Sequence, residues 1–150
     1  MRKLLACLLL GACAAAGAQP GVPLQVDGAW ARTIVPGQQS SGAYMTLTGR
    51  EPLTLLGAET PAAAIVEIHQ MKVEGDVMKM RAVDTLPLEV GKPVQLAPGG
   101  YHFMLMDLKD PFKAGTQIPF TLRLRDAAGK LRTLPLRVPV QAMPPRESRR

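Results

Sequence analysis

The chain has 150 residues, with 18 basic against 12 acidic side chains and a formal net charge of +6. That length fits one domain around a single core, and 14 glycines with 14 prolines suit short strands between turns better than helices. The basic excess is mild and lacks interleaved aromatics, since the whole chain holds 3 Phe, 2 Tyr and 1 Trp. A nucleic-acid-binding surface is therefore not expected.

Residues 1–18 stand apart from the rest. Met1-Arg2-Lys3 is a positive start, Leu4 opens an apolar run, and Ala16-Gly17-Ala18 is a small-residue cleavage signal. This is the pattern of a secretory signal peptide, too short and wrongly flanked for a membrane span, so no transmembrane segment is expected in the mature chain. Leu10-Gly11-Ala12-Cys13 also resembles a bacterial lipobox, and the alternative is a lipoprotein anchored through Cys13. Cleavage after Ala18 removes both cysteines and leaves 16 basic and 12 acidic residues. A mature chain without thiols cannot form disulfides in an oxidising compartment, and it cannot build a blue-copper site, which needs a thiolate. The expected organisation is a signal peptide at 1–18, one domain at 19–141 and a basic tail at 142–150 carrying Arg146, Arg149 and Arg150.

From residue 24 onward the pattern is that of strands. Leu24, Val26, Gly28 and Trp30 alternate, which places Trp30 on their shared face as a core anchor; a role lining a metal site is the alternative. Residues 36–42 form a loop, and 43–48 a strand with Ala43, Met45 and Leu47 on its core face. Further strands are expected at 53–58, 64–72, 77–83, 94–96 and 101–108, with Pro87, Gly91 and Pro93 breaking the chain between the third and fourth of these. Residues 117–125 alternate strongly, with Ile118, Phe120, Leu122 and Leu124 inside. The last strand, 131–140, contains Pro135 and Pro139 and so belongs at an edge or a bulge. Eight or nine short strands at turn-punctuated spacing predict an all-β sandwich in one domain.

The stretch from His69 to Met106 carries the chemistry. It contains both histidines and five of the eight methionines, Met71, Met78, Met80, Met104 and Met106. In extended chain, residues two apart share a face, so His69 pairs with Met71, Met78 with Met80, and His102 with Met104 and Met106. Glu74-Gly75-Asp76 is a hairpin turn signal. A Glu74-Gly75 loop sets Met71 opposite Met78 and His69 opposite Met80. A Gly75-Asp76 loop sets Met71 opposite Met80, with His69 diagonal to it. Either register puts all four side chains on one face. Thioether with imidazole is a ligand set for Cu(I); hard cations take oxygen ligands, and zinc takes Cys, His and carboxylate. The competing reading is a methionine-rich strand face that packs as core.

His69, ten residues, Met80, twenty-one residues, then His102-Phe103-Met104 resembles the spacing of the periplasmic copper chaperones of the PCu(A)C family. Val66-Glu67-Ile68-His69, Gly75 to Arg81 and Leu96 to Met106, with Pro98-Gly99-Gly100-Tyr101 before His102, are similar to that family's core over roughly residues 26–140. The resemblance implies a cupredoxin-like Greek-key fold and Cu(I) ligation by His69, Met80, His102 and Met104. Met71, Met78 and Met106 are auxiliary thioethers by the face argument alone. The resemblance further implies delivery to a copper-accepting protein, such as the Cu(A) centre of a cytochrome c oxidase subunit or another copper chaperone, or a wider part in copper homeostasis. The compact Gly49-Arg50-Glu51-Pro52 turn departs from the longer polar turn common in that family.

No G-x-S-x-G, P-loop, H-E-x-x-H or mature cysteine nucleophile is present. Both histidines are committed to the motif, which leaves little for general acid–base catalysis. The expectation is a carrier rather than an enzyme; the alternative is a copper-independent extracytoplasmic interaction protein.

Overall fold

Ten strands form among residues 21–145, the part of the chain that the computed structural model describes. They are β1 (Leu24–Arg32), β2 (Ser40–Gly49), β3 (Leu53–Glu59), β4 (Ala63–Glu74), β5 (Val77–Val83), β6 (Leu86–Leu88), β7 (Val94–Leu96), β8 (Tyr101–Leu108), β9 (Gln117–Asp126) and β10 (Leu131–Gln141). The expected signal peptide, its lipobox alternative and the arginines of the tail lie outside the described residues.

The strands run in the order β5-β4-β8-β7-β2-β1-β10-β9-β3-β6, and β8 also pairs directly with β2. Most pairs are antiparallel. The halves are joined by a short parallel contact between β1 and β10, Ala31 beside Val140 and Arg32 beside Gln141. At that seam the sheet folds over, so that β5-β4-β8-β2-β1 covers β10-β9-β3-β6. Phe103 of β8 meets Phe120 of β9 across the interior, ring centroids 5.2 Å apart and edge to face. This is the all-β sandwich predicted from the strand spacing.

Alternation explains the core. On β9, Ile118, Phe120, Leu122 and Leu124 are buried, while Pro119, Arg123 and Arg125 are exposed. Ala43, Met45 and Leu47 of β2 and Phe103 and Leu105 of β8 complete the same interior. Each of the larger of these side chains, once removed from water, contributes about 1.5–3 kcal/mol. Met45 is accordingly a packing residue, as its place outside the His/Met stretch suggested.

Two expectations need correction. Residues 86–88 form a strand where Pro87 reads as a break. β6 is the outermost strand, paired only with β3 through Leu53–Leu88, Thr54–Pro87 and Leu55–Leu86, and an edge tolerates a residue without an amide proton. Its Leu86 and Leu88 are buried. The prolines of β10 obey the same rule, since along Leu131–Pro139 that strand is paired on one side only.

The second correction bears on function. Trp30 does not share a face with Leu24 and Val26. The β1–β2 register slips between Asp27 and Trp30, where Gly28 adopts φ 59°. One inserted residue turns the rest of the strand over. Trp30 consequently pairs with Tyr44 on the outer face of the sheet. It is 3% exposed yet stands outside the interior cluster.

Candidate metal centre

The β4–β5 hairpin turns at Gly75-Asp76, with Gly75 at φ 65° and Glu74 paired to Val77. A positive φ at the first loop residue alone is the type II′ arrangement, which suits glycine and matches strand twist. Of the two registers open to the sequence, the hairpin takes the one in which Met71 faces Met80. Val73 faces Met78, and His69 faces Ala82. Met80 is therefore diagonal to His69, about 7–8 Å away across the ladder at backbone level.

On its other side β4 pairs with β8, setting His69 opposite His102, Glu67 opposite Met104 and Ile65 opposite Met106. The two ladders place His69, Met71, Met78, Met80, His102, Met104 and Met106 on one outer face spanning β5, β4 and β8. Phe103 and Leu105, between the β8 residues, are fully buried on the inner face.

The imidazoles are neighbours, with ring centroids 5.8 Å apart at 65°, and each is held by a different partner. His102 Nδ1 lies 3.2 Å from the Gly100 carbonyl, to which it donates, leaving Nε2 with the lone pair. That carbonyl also accepts the Met71 amide at 3.0 Å, so one oxygen ties the hairpin to the ring. Gly99 at φ 86° and the Gly100 amide bonded to the Ala97 carbonyl form the turn that delivers it. Burial lowers the His102 pKa below its ordinary value of 6.5, outweighing the opposing effect of the Gly100 bond, with a smaller lowering from His69. The neutral ring is thereby favoured, the form a metal requires.

His69 is arranged the other way round. Its Nε2 is 2.7 Å from Glu67 Oε2, and its Nδ1 is buried without a hydrogen-bond partner. A buried polar atom left unpaired is costly and calls for an explanation. Here the orphan nitrogen belongs to a candidate ligand beside a second imidazole.

The inner flank of this face is aromatic. Tyr44 lies 6.3 Å from the His102 ring and 4.7 Å from Trp30, and the Arg32 guanidinium covers both, 5.8 Å from Tyr44 and 5.9 Å from Trp30. Gly42 makes room: a side chain there would begin 2.4 Å from the Tyr44 hydroxyl. Since Gly42 pairs with Met104, Tyr44 is laid along β2 toward a candidate ligand. The opposite flank is open. His102 is 3% exposed, whereas Met80 is 47% and Met78 61% exposed. A cavity of about 600 Å³ on the far side of Trp30, lined by Asp27, Gln95 and Pro98 among others, holds none of the candidate ligands.

Residues 24–140 match the family described as "Putative lipoprotein LpqE-like". The chain belongs to the LpqE-like family. It is 33% identical over 119 residues to the "Putative lipoprotein Lxx21020" of Leifsonia xyli subsp. xyli (strain CTCB07), covering 79% of this chain and 69% of that protein. Its fold is that of solved PCuAC domains. Apo-DR1885 from Deinococcus radiodurans superposes with a TM-score of 0.61 at 29% identity, over 94% of this chain and 93% of that one. The Cu(I) form of DR1885 gives 0.58 at 32% identity, over 86% and 83%. The copper-bound PCuAC domain from PmoF2 gives 0.66 at 21% identity, over 83% and 97%, a likeness of fold alone.

In this LpqE-like chain the donor set suits a soft metal. Two imidazoles, each with one nitrogen free, stand beside Met104, with Met80 on the adjoining strand. Among the described residues no group of three or more His, Cys, Asp or Glu is arranged for a metal; the thioether sulfurs on this face are donors of the kind that selects Cu(I). Two residues beside the candidate ligands escaped the sequence reading. Glu67 was signalled, being two residues before His69 and therefore on its face. Tyr44 was not, because its approach depends on how β2 pairs with β8.

Proposed function

We propose that this protein is an extracytoplasmic carrier of Cu(I), bound one per chain by His69, Met80, His102 and Met104. The observation that carries this reading is the His69–His102 pair, whose buried and unpartnered Nδ1 on one ring stands next to a neutral second ring on a face lined with methionine. The Cu(I) form of DR1885 supports it from a chain 32% identical. Copper is cargo here, not a catalytic group, and the sulfur-rich donor set favours holding it as Cu(I) over redox cycling. The family description supports a place outside the cytoplasm. The periplasm, reached through the signal peptide at 1–18 or by a lipid on Cys13, is the compartment we assign.

Delivery follows from the exposure gradient. The His102 side is walled by Tyr44 and Trp30, so an acceptor reaches the metal from the β5 side, where Met80 is half exposed. Ligand exchange would begin there, with incoming donors replacing thioether before imidazole. The acceptor is a copper protein, for which the Cu(A) centre of cytochrome c oxidase or a second chaperone is our assignment.

X-ray absorption of the Cu(I)-loaded protein tests the ligand set. Nitrogen and sulfur neighbours in about equal number are expected. A shell of nitrogen and oxygen only sinks the assignment. Failure to bind Cu(I) at all returns the methionines to a copper-independent interaction surface.

A further inference from the structure

The two histidines have the same task in this reading but present different nitrogens, and the reason lies in what each is bonded to. The Gly100 carbonyl accepts the Nδ1 proton of His102 at 3.2 Å, leaving Nε2 free. At His69 the acceptor is a side chain. Glu67 Oε2 takes the Nε2 proton at 2.7 Å, a short charge-assisted bond. The nitrogen left over, Nδ1, is the buried one with no partner. A neutral imidazole carries its proton where an acceptor meets it, and at His69 that acceptor is the Glu67 carboxylate at Nε2.

We propose that Glu67 is a positioning residue: its carboxylate fixes His69 in the Nε2–H tautomer, which directs the Nδ1 lone pair into the metal site. This rests on the copper reading of the site. Placement on the sheet supports it. Glu67 and His69 share the outer face of β4, and their partners on β8 are Met104 and His102. The carboxylate thus occupies the fourth corner of a square whose other three corners are candidate ligands. It is an outlying corner, with the Glu67 side chain 45% exposed against 13% for His69. An exposed carboxylate bonded to the ring's outward nitrogen is placed to orient the ring without entering the coordination shell, as outer carboxylates do for metal-bound histidines. The paired tautomers make the site self-consistent: one ring is locked by backbone, the other by Glu67.

The test reads the tautomers in the metal-free protein. Long-range proton–nitrogen correlation spectra, recorded in mildly alkaline solution, should show His69 protonated at Nε2 and His102 at Nδ1. Glu67→Leu removes the acceptor; it should shift His69 toward the other tautomer, leave His102 unchanged and weaken Cu(I) binding by roughly 10–100-fold. Glu67→Gln keeps length and an acceptor oxygen, and should restore the Nε2–H tautomer and most of the affinity. A wild-type His69 protonated at Nδ1 overturns the proposal. So does an unchanged His69 tautomer in Glu67→Leu, whatever its affinity, and so does a changed tautomer with wild-type affinity. If the wild type binds no Cu(I), the copper reading fails and this role falls with it; the tautomer spectra would still show whether Glu67 controls the ring.

Discussion

Strands β8 and β9 differ less in backbone than in what they show to solvent. Both alternate, and their inner residues meet in one interior, Phe103 against Phe120. Outward, β9 presents Thr121, Arg123 and Arg125, an ordinary solvated surface. β8 presents His102, Met104 and Met106. The sheet geometry that builds the core thus also fixes the spacing of the candidate metal ligands, and the two tasks fall on opposite faces of one strand. An inner substitution should strike stability, and an outer one should strike binding.

The largest effect tests the inner face. Phe103→Ala removes a fully buried ring between two ligand positions. It should cost about 3–5 kcal/mol in denaturant unfolding, while the fraction that remains folded still takes up one Cu(I). A loss under about 1.5 kcal/mol would mean that the inner face of β8 is not the support assumed here.

The outer face should give the converse. Met104→Leu and Met80→Leu keep volume and remove sulfur. Each should lower Cu(I) affinity by more than the roughly 100-fold ceiling for a supporting residue, as measured by competition with a chromophoric Cu(I) chelator. Stability should fall by under about 1.5 kcal/mol. Parallel losses of stability and affinity would collapse the contrast between the faces and return these methionines to packing.

A smaller effect probes the aromatic wall. Gly42→Ala places a methyl 2.4 Å from the Tyr44 hydroxyl, and only movement of that ring relieves it. Overpacking of this kind costs about 1–3 kcal/mol. Because Trp30 is the single tryptophan and rests on Tyr44, its emission should shift to the red as water reaches it. Unchanged emission would show that Tyr44 does not seal this flank.

Much of this was legible before the fold was known, for a definite reason. Period-two alternation identified β9 and both faces of β8, and glycine placement narrowed the hairpin to two registers, of which Gly75 at φ 65° marks the one formed. What could not be read depended on long-range pairing. A single slip after Gly28 inverted Trp30, and no local pattern distinguishes an inserted residue from continued alternation. The short strand at Leu86–Leu88 was hidden by Pro87, whose tolerance comes from lying at a sheet edge that only topology creates. The role of Glu67 needed the His69 ring orientation, although its position on the shared face was already implied by spacing.

The smallest effect on affinity separates ligands from their surroundings within the outer face itself. Met71, Met78 and Met106 lie on that face but outside the four-residue set. Met71 is opposite Met80, Met78 is next along β5 and 61% exposed, and Met106 continues β8 beyond Met104. Flexible thioethers on an accessible surface can hold a soft ion briefly and adapt to an incoming partner. The Met71→Leu, Met78→Leu, Met106→Leu triple variant should therefore keep near-normal Cu(I) affinity, since no ligand is lost, and should transfer copper to an acceptor more slowly, since the ion passes over a surface stripped of sulfur. Stopped-flow transfer to a chromophoric chelator and then to a copper-accepting protein separates the two quantities. Transfer at the wild-type rate would make the three side chains plain packing. A collapse in affinity would mean that one of them is a ligand, with Met71, adjoining both His69 and Met80, the first to examine by single substitution.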